Sequence, residues 1–75
     1  MSEERWIVTF PSTHLALRAE RAAQRSGIRT RMIPVPRQIS SDCNMGLETS
    51  VVERDSLRRV LAGEGIECNF VLWKA

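Results

Sequence analysis

The chain has few aromatics, one histidine, one lysine and no long apolar run, and each shortage closes off a class of function. Four aromatic side chains (Trp6, Phe10, Phe70 and Trp73) and no tyrosine are too few stacking platforms for a single-stranded nucleic-acid binder. Eleven Lys+Arg against nine Asp+Glu leave a net charge of +2, short of the basic surplus a nucleic-acid surface needs. Nucleic acid is therefore not an expected partner. Without an apolar stretch of about 18 residues, no membrane span is expected either. Residues 1–5 carry neither a basic leader nor an apolar signal core, which reads as a cytoplasmic protein. The two cysteines, Cys43 and Cys68, form no CxxC pair, and in a reducing compartment both are free thiols. With His14 as the sole histidine they cannot close a zinc site unaided, so no metal and no cofactor are expected.

Seventy-five residues, 43% of them hydrophobic, suit one globular domain over residues 1–75. A domain of this size buries only about 60% of the surface of its unfolded chain, so its core is thin. Arg5–Phe10 is β-branched and aromatic and reads as a strand, stopped by Pro11. Ser12 or Thr13 then caps a helix whose inner stripe is Leu15, Ala19, Ala22 and Ser26, with Ala16 and Ala23 beside it. Gly27 terminates that helix. Ile28–Ile33 alternates as a half-exposed strand until Pro34 and Pro36 end it. Val35–Met45 has no regular pattern, and unpatterned loops of this length are commonly functional or disordered. Gly46–Val52 resumes a strand. Asp55 or Ser56 caps a second helix, with stripe Leu57, Val60 and Leu61 and a stop at Gly63 and Gly65. Ile66–Trp73 is the last strand, with Ile66, Cys68, Phe70 and Leu72 on one face.

Strand, helix, strand, strand, helix, strand is the split βαβ pattern of an α+β, ferredoxin-like two-layer sandwich. Right-handed crossovers predict an antiparallel sheet of order 4-1-3-2 with both helices on one face. The first two strands then run the same way, so the loop after the second opens at the end where the first helix begins. That brings Cys43 toward the backbone N–H groups of Thr13, His14 and Leu15. A helix N-terminus favours anions and lowers a nearby thiol's pKa.

Ile33-Pro34-Val35-Pro36-Arg37-Gln38-Ile39-Ser40-Ser41-Asp42-Cys43 resembles the Ile-Pro-Val-Pro-Arg-x-Ile-Ser-Ser-x-Cys block of the Putative Se/S carrier protein-like family. Phe10-Pro11-Ser12 through Ala16 and Glu20 resembles that family's opening helix, and the likeness extends over nearly the whole chain. The resemblance implies a small protein that takes sulfur or selenium onto Cys43 as a persulfide or perselenide, in the neighbourhood of selenium metabolism. Its partners would be chalcogen donor and acceptor proteins. Arg37 corresponds to the motif arginine, and Ser40 and Ser41 to the motif hydroxyls. Asn44 stands where the family most often has Gly; Asn tolerates positive φ, but it crowds the neighbouring thiol.

The candidate site is thus Cys43 as reactive cysteine and chalcogen acceptor, supported by Arg37, Ser40, Ser41, Ser12, Thr13 and His14. Such a chain carries a group and does not turn over a small substrate, so an enzyme is not the leading reading. Two alternatives use no thiol chemistry. One is a regulatory or anion-binding module built on Arg37 and the helix N-terminus. The other is an interaction domain. Arg29, Arg31 and Glu48 are assigned to an exposed sheet face shared with Ile7, Thr9, Val71 and Trp73. That face, or an edge strand, offers a surface for a homodimer. Cys68 reads as a small buried hydrophobe.

Overall fold

The order β1 (Arg5–Thr9), α1 (Thr13–Arg25), β2 (Arg31–Pro34), β3 (Met45–Ser50), α2 (Val51–Gly63), β4 (Asn69–Trp73) is seen in a computed structural model. The structure describes residues 4–39 and 45–73. The sheet runs β2-β3-β1-β4 and is antiparallel at every pairing, which is the expected ferredoxin-like order read from the opposite edge. Ile7 lies opposite Glu48 on one side and Val71 on the other, and Met32 lies opposite Leu47.

Both helices start from a serine. Ser12 caps α1, its hydroxyl accepting from the Leu15 N–H at 3.2 Å. Ser50 caps α2, accepting from the Glu53 N–H at 3.4 Å. The second helix therefore begins a turn before the expected Asp55 or Ser56, and Val51 and Val52 are helical and exposed, not part of a strand. Ser50-Val51-Val52-Glu53 has the Ser-x-x-Glu spacing of a capping box. Two β-branched valines disguised that signal as strand.

Both helices also end in the same way. Gly27 and Gly65 take positive φ of 71° and 69°. Behind them the Ile28 N–H donates to the Ala23 carbonyl at 2.9 Å and the Ile66 N–H to the Leu61 carbonyl at 3.0 Å. The glycine N–H groups donate to the Gln24 and Ala62 carbonyls. These are paired Schellman motifs, which close the last carbonyls of a helix and turn the following apolar residue inward. Ile28 and Ile66 are accordingly buried in the core. Each belongs to a helix stop, so β2 and β4 start at Arg31 and Asn69, three residues later than the apolar pattern suggests.

One sheet face carries the main core. Val8, Phe10 and Leu47 pack there with Ala16, Ala19 and Ala23 of α1 and Leu57 and Leu61 of α2, placing both helices on that side. The opposite face was expected to be open, and part of it is not. Ile7 is 1% exposed because Val35 covers it, and Ile33, Ile39 and Trp73 pack around this pair. The first residues after β2 thus fold back as a strap across the helix-free face. Gly46 beneath them has no room for a side chain. A Cβ there would lie 2.6 Å from the Val8 carbonyl oxygen and 2.8 Å from Val35 Cγ2.

Candidate functional site

The Pro-Val-Pro-Arg segment owes its shape to backbone chemistry. Pro34 is the last residue of β2 and lies opposite Met45 in β3. Val35 drops onto Ile7, and the chain then turns, the Ile39 N–H donating to the Pro36 carbonyl at 2.9 Å. Arg37 and Gln38 occupy the corner of this turn and are exposed, while Ile39 returns to the apolar cluster. A proline ring before Arg37 restricts the backbone leading into the corner. Among the described residues the Arg37 guanidinium has no ion-pair partner. Ser40, Ser41, Cys43 and Asn44 lie outside the described residues.

The mouth of this connection and the start of α1 share one end of the sheet. β1 ends at Thr9, and Val8 lies opposite Leu47, two residues into β3. Ser12, Thr13 and His14 are exposed at that end. Of the three N–H groups expected to face a ligand, that of Leu15 is already taken by the Ser12 hydroxyl. Thr13 and His14 keep the N–H groups that a helix leaves without internal acceptors. The first turn of α1 contains no acidic residue, whereas that of α2 contains Glu53. The partial positive charge at the start of α1 is therefore not offset by a carboxylate of its own.

Cys68 lies in different surroundings. It is half-buried against the main core, just before β4. Burial pushes its thiol pKa up, with the Arg58 guanidinium pulling modestly the other way. A nucleophilic or resolving thiol needs the opposite shift. The same flank holds two cation–π stacks missed by reading for apolar periodicity. The Arg54 guanidinium stands 4.7 Å from the centre of the Trp6 ring, and that of Arg58 stands 5.0 Å from Phe70. The i, i+4 spacing of the arginines and the alternation along β1 and β4 were the available clues. Beneath this layer the Trp6 Nε1–H is buried with no hydrogen-bond partner among the described residues.

Among the described residues no group of three His, Cys, Asp or Glu side chains could hold a metal ion. No helix there is long and apolar enough to cross a membrane.

The fold is thus an α+β sandwich whose proline-stiffened connection leaves the sheet at the end where the first helix starts, its described part lying on the helix-free face. A family model described as Putative Se/S carrier protein-like matches residues 5–72, and the chain belongs to that family. No curated protein and no solved structure matches it.

Proposed function

We propose that the protein is a small cytoplasmic relay for sulfur or selenium, with Cys43 as the atom carrier. The observation that carries this reading is the family match over residues 5–72, which spans the Pro34-to-Cys43 block. Two features of the surroundings support it. The connection holding Cys43 leaves the sheet between Pro34 and Met45, at the end where α1 begins. The first turn of that helix has no acid to cancel its positive end, and such an end stabilises a thiolate.

In the proposed cycle the Cys43 thiolate attacks the outer sulfur of a donor persulfide. The donor's S–S bond breaks, its inner sulfur leaves as a thiolate with the bonding pair, and a new S–S bond forms on Cys43. An acceptor thiolate then repeats the displacement on Cys43 and returns it to the thiolate. Each step exchanges one S–S bond for another, so no net oxidant is required. Selenium replaces the outer sulfur in the perselenide case. Arg37, Ser40, Ser41, Thr13 and His14 are the groups available to hold the charge of the outer atom or to meet the partner, and Ser12 fixes the helix end.

The test is mass spectrometry after incubation with cysteine and a cysteine desulfurase, or with selenocysteine and a selenocysteine lyase. Wild type and Cys68→Ser should each gain one chalcogen atom, located on Cys43, and Cys43→Ser should gain none. Absence of loading on wild type, or equal loading of Cys43→Ser, overturns the proposal.

A further inference from the structure

At the end of the sheet away from the β2–β3 connection, an open cleft of about 450 Å³ lies between the starts of β1, β2 and α2. Its size falls within the range of small-molecule sites. Three arginines line it: Arg5 opens β1, Arg31 opens β2, and Arg29 sits two residues earlier. Two carboxylates line it as well, and both are engaged. Glu48 lies opposite Arg31 across the strands and is 3.8 Å from the Arg5 guanidinium. Glu53 accepts from the backbone N–H of Arg29 at 3.4 Å. Thr49 is also committed, its hydroxyl donating to the Arg29 carbonyl at 3.3 Å.

These bonds tie the segment before β2 to the end of β3 and the first turn of α2. They hold the backbone of Arg29 while leaving its side chain unused. Among the described residues the guanidiniums of Arg29 and Arg31 have no ion-pair partner. Residues two apart on an extended chain are roughly 7 Å apart. With Cα atoms no farther apart than that, the two long side chains can bring planar donor forks to two oxyanion groups of one small molecule, each bound bidentately. Thr30 and Ser50 line the same cleft, the Ser50 hydroxyl already serving as the cap of α2.

We propose that this cleft binds a small polyvalent oxyanion, a compound bearing two or more phosphate or carboxylate groups, through Arg29 and Arg31, with Arg5 held alongside by Glu48. The site is separate from the Cys43 connection and does not depend on the relay chemistry.

The experiment is amide NMR of the full chain titrated with pyrophosphate and, separately, with citrate, in buffer without divalent cations. Saturable shifts should cluster on residues 29–31 and 48–53 with at least one probe, and the probe that binds distinguishes phosphate from carboxylate. A doubly substituted Arg29→Gln, Arg31→Gln protein should bind that probe about tenfold more weakly or worse. Arg18→Gln, Arg21→Gln, which removes the same charge from the exposed side of α1, should bind as wild type does. The site is refuted if neither probe saturates, if the two double variants weaken equally, or if the shifts centre on the start of α1.

Discussion

Both α1 and α2 are 13 residues long, start from a serine cap and stop at a Gly-Ile pair, yet they cover the sheet differently. α1 buries four alanines, Ala16, Ala19, Ala22 and Ala23, so its backbone approaches the strands closely and little side-chain entropy is lost. α2 buries only Leu57 and Leu61. Its flank is finished by the guanidiniums of Arg54 and Arg58 lying over Trp6 and Phe70. One half of the molecule is sealed by small side chains at short range. The other is sealed by two large anchors and a layer of stacked cations, which shields aromatic rings and keeps the charges wet. A shared local frame thus tolerates two packing solutions, because caps and stops act on the backbone whereas the inner stripe only has to fill volume.

The largest expected effect comes from the side with fewer anchors. Leu57→Ala or Leu61→Ala each leaves a cavity under a fully buried position and should cost about 3 kcal/mol, read from the urea midpoint at unchanged slope. A loss below about 1 kcal/mol would mean that α2 collapses onto the sheet as readily as a loosely packed surface helix. Next is the strap side. Gly46→Ala should cost roughly 2–3 kcal/mol because the new methyl meets both the Val8 carbonyl and Val35. Adding Val35→Ala should fail to restore stability, since the backbone clash persists. Full rescue would show that the strap alone is what forbids a side chain there.

A smaller and sharper test uses the matched stops. Gly27→Ala and Gly65→Ala both force a methyl into a left-handed backbone with open space around it, and each should cost about 1–2 kcal/mol. Equal losses in calorimetry sustain the equivalence of the two helix ends. Clearly unequal losses break it. The smallest effect concerns Cys68. Its folded pKa lies above the unfolded value, so its contribution to stability is complete at neutral pH and fades as pH rises past the ordinary thiol range of roughly 8.5. Iodoacetamide labelling of Cys68 in a Cys43→Ser background should stay slow at pH 7 and accelerate only on the alkaline side of that range. Fast labelling at neutral pH contradicts the burial that raises the pKa.

Strand and helix order were legible because the β-branched and aromatic run at Arg5–Phe10, the alanine stripe and the paired glycines are local signals, and the sheet order followed from right-handed crossovers. Ser12 and Gly27 were equally local. The starts of β2 and β4 were misplaced because Ile28 and Ile66 are apolar for the sake of a helix stop, and a pattern of apolarity does not say which neighbour an apolar residue serves. Ser50 was missed for a related reason, as Val51 and Val52 carry β propensity that tertiary context overrides. At the candidate site, the shared sheet end of the α1 start and the mouth of the β2–β3 connection followed from topology. The use of the Leu15 N–H by Ser12 did not.

Residue order by itself determined where the backbone turns, because proline, glycine and serine act within a few bonds of themselves. It also carried the Pro34-to-Cys43 block, which stands out by its resemblance to the family's motif. Only the tertiary structure decided that Val35 and Ile39 fold across the helix-free face onto Ile7, that Arg54 and Arg58 roof Trp6 and Phe70, and that Arg5, Arg29 and Arg31 share a cleft. Each of these joins residues distant in the chain, and such contacts form only when the sheet has brought their strands into register.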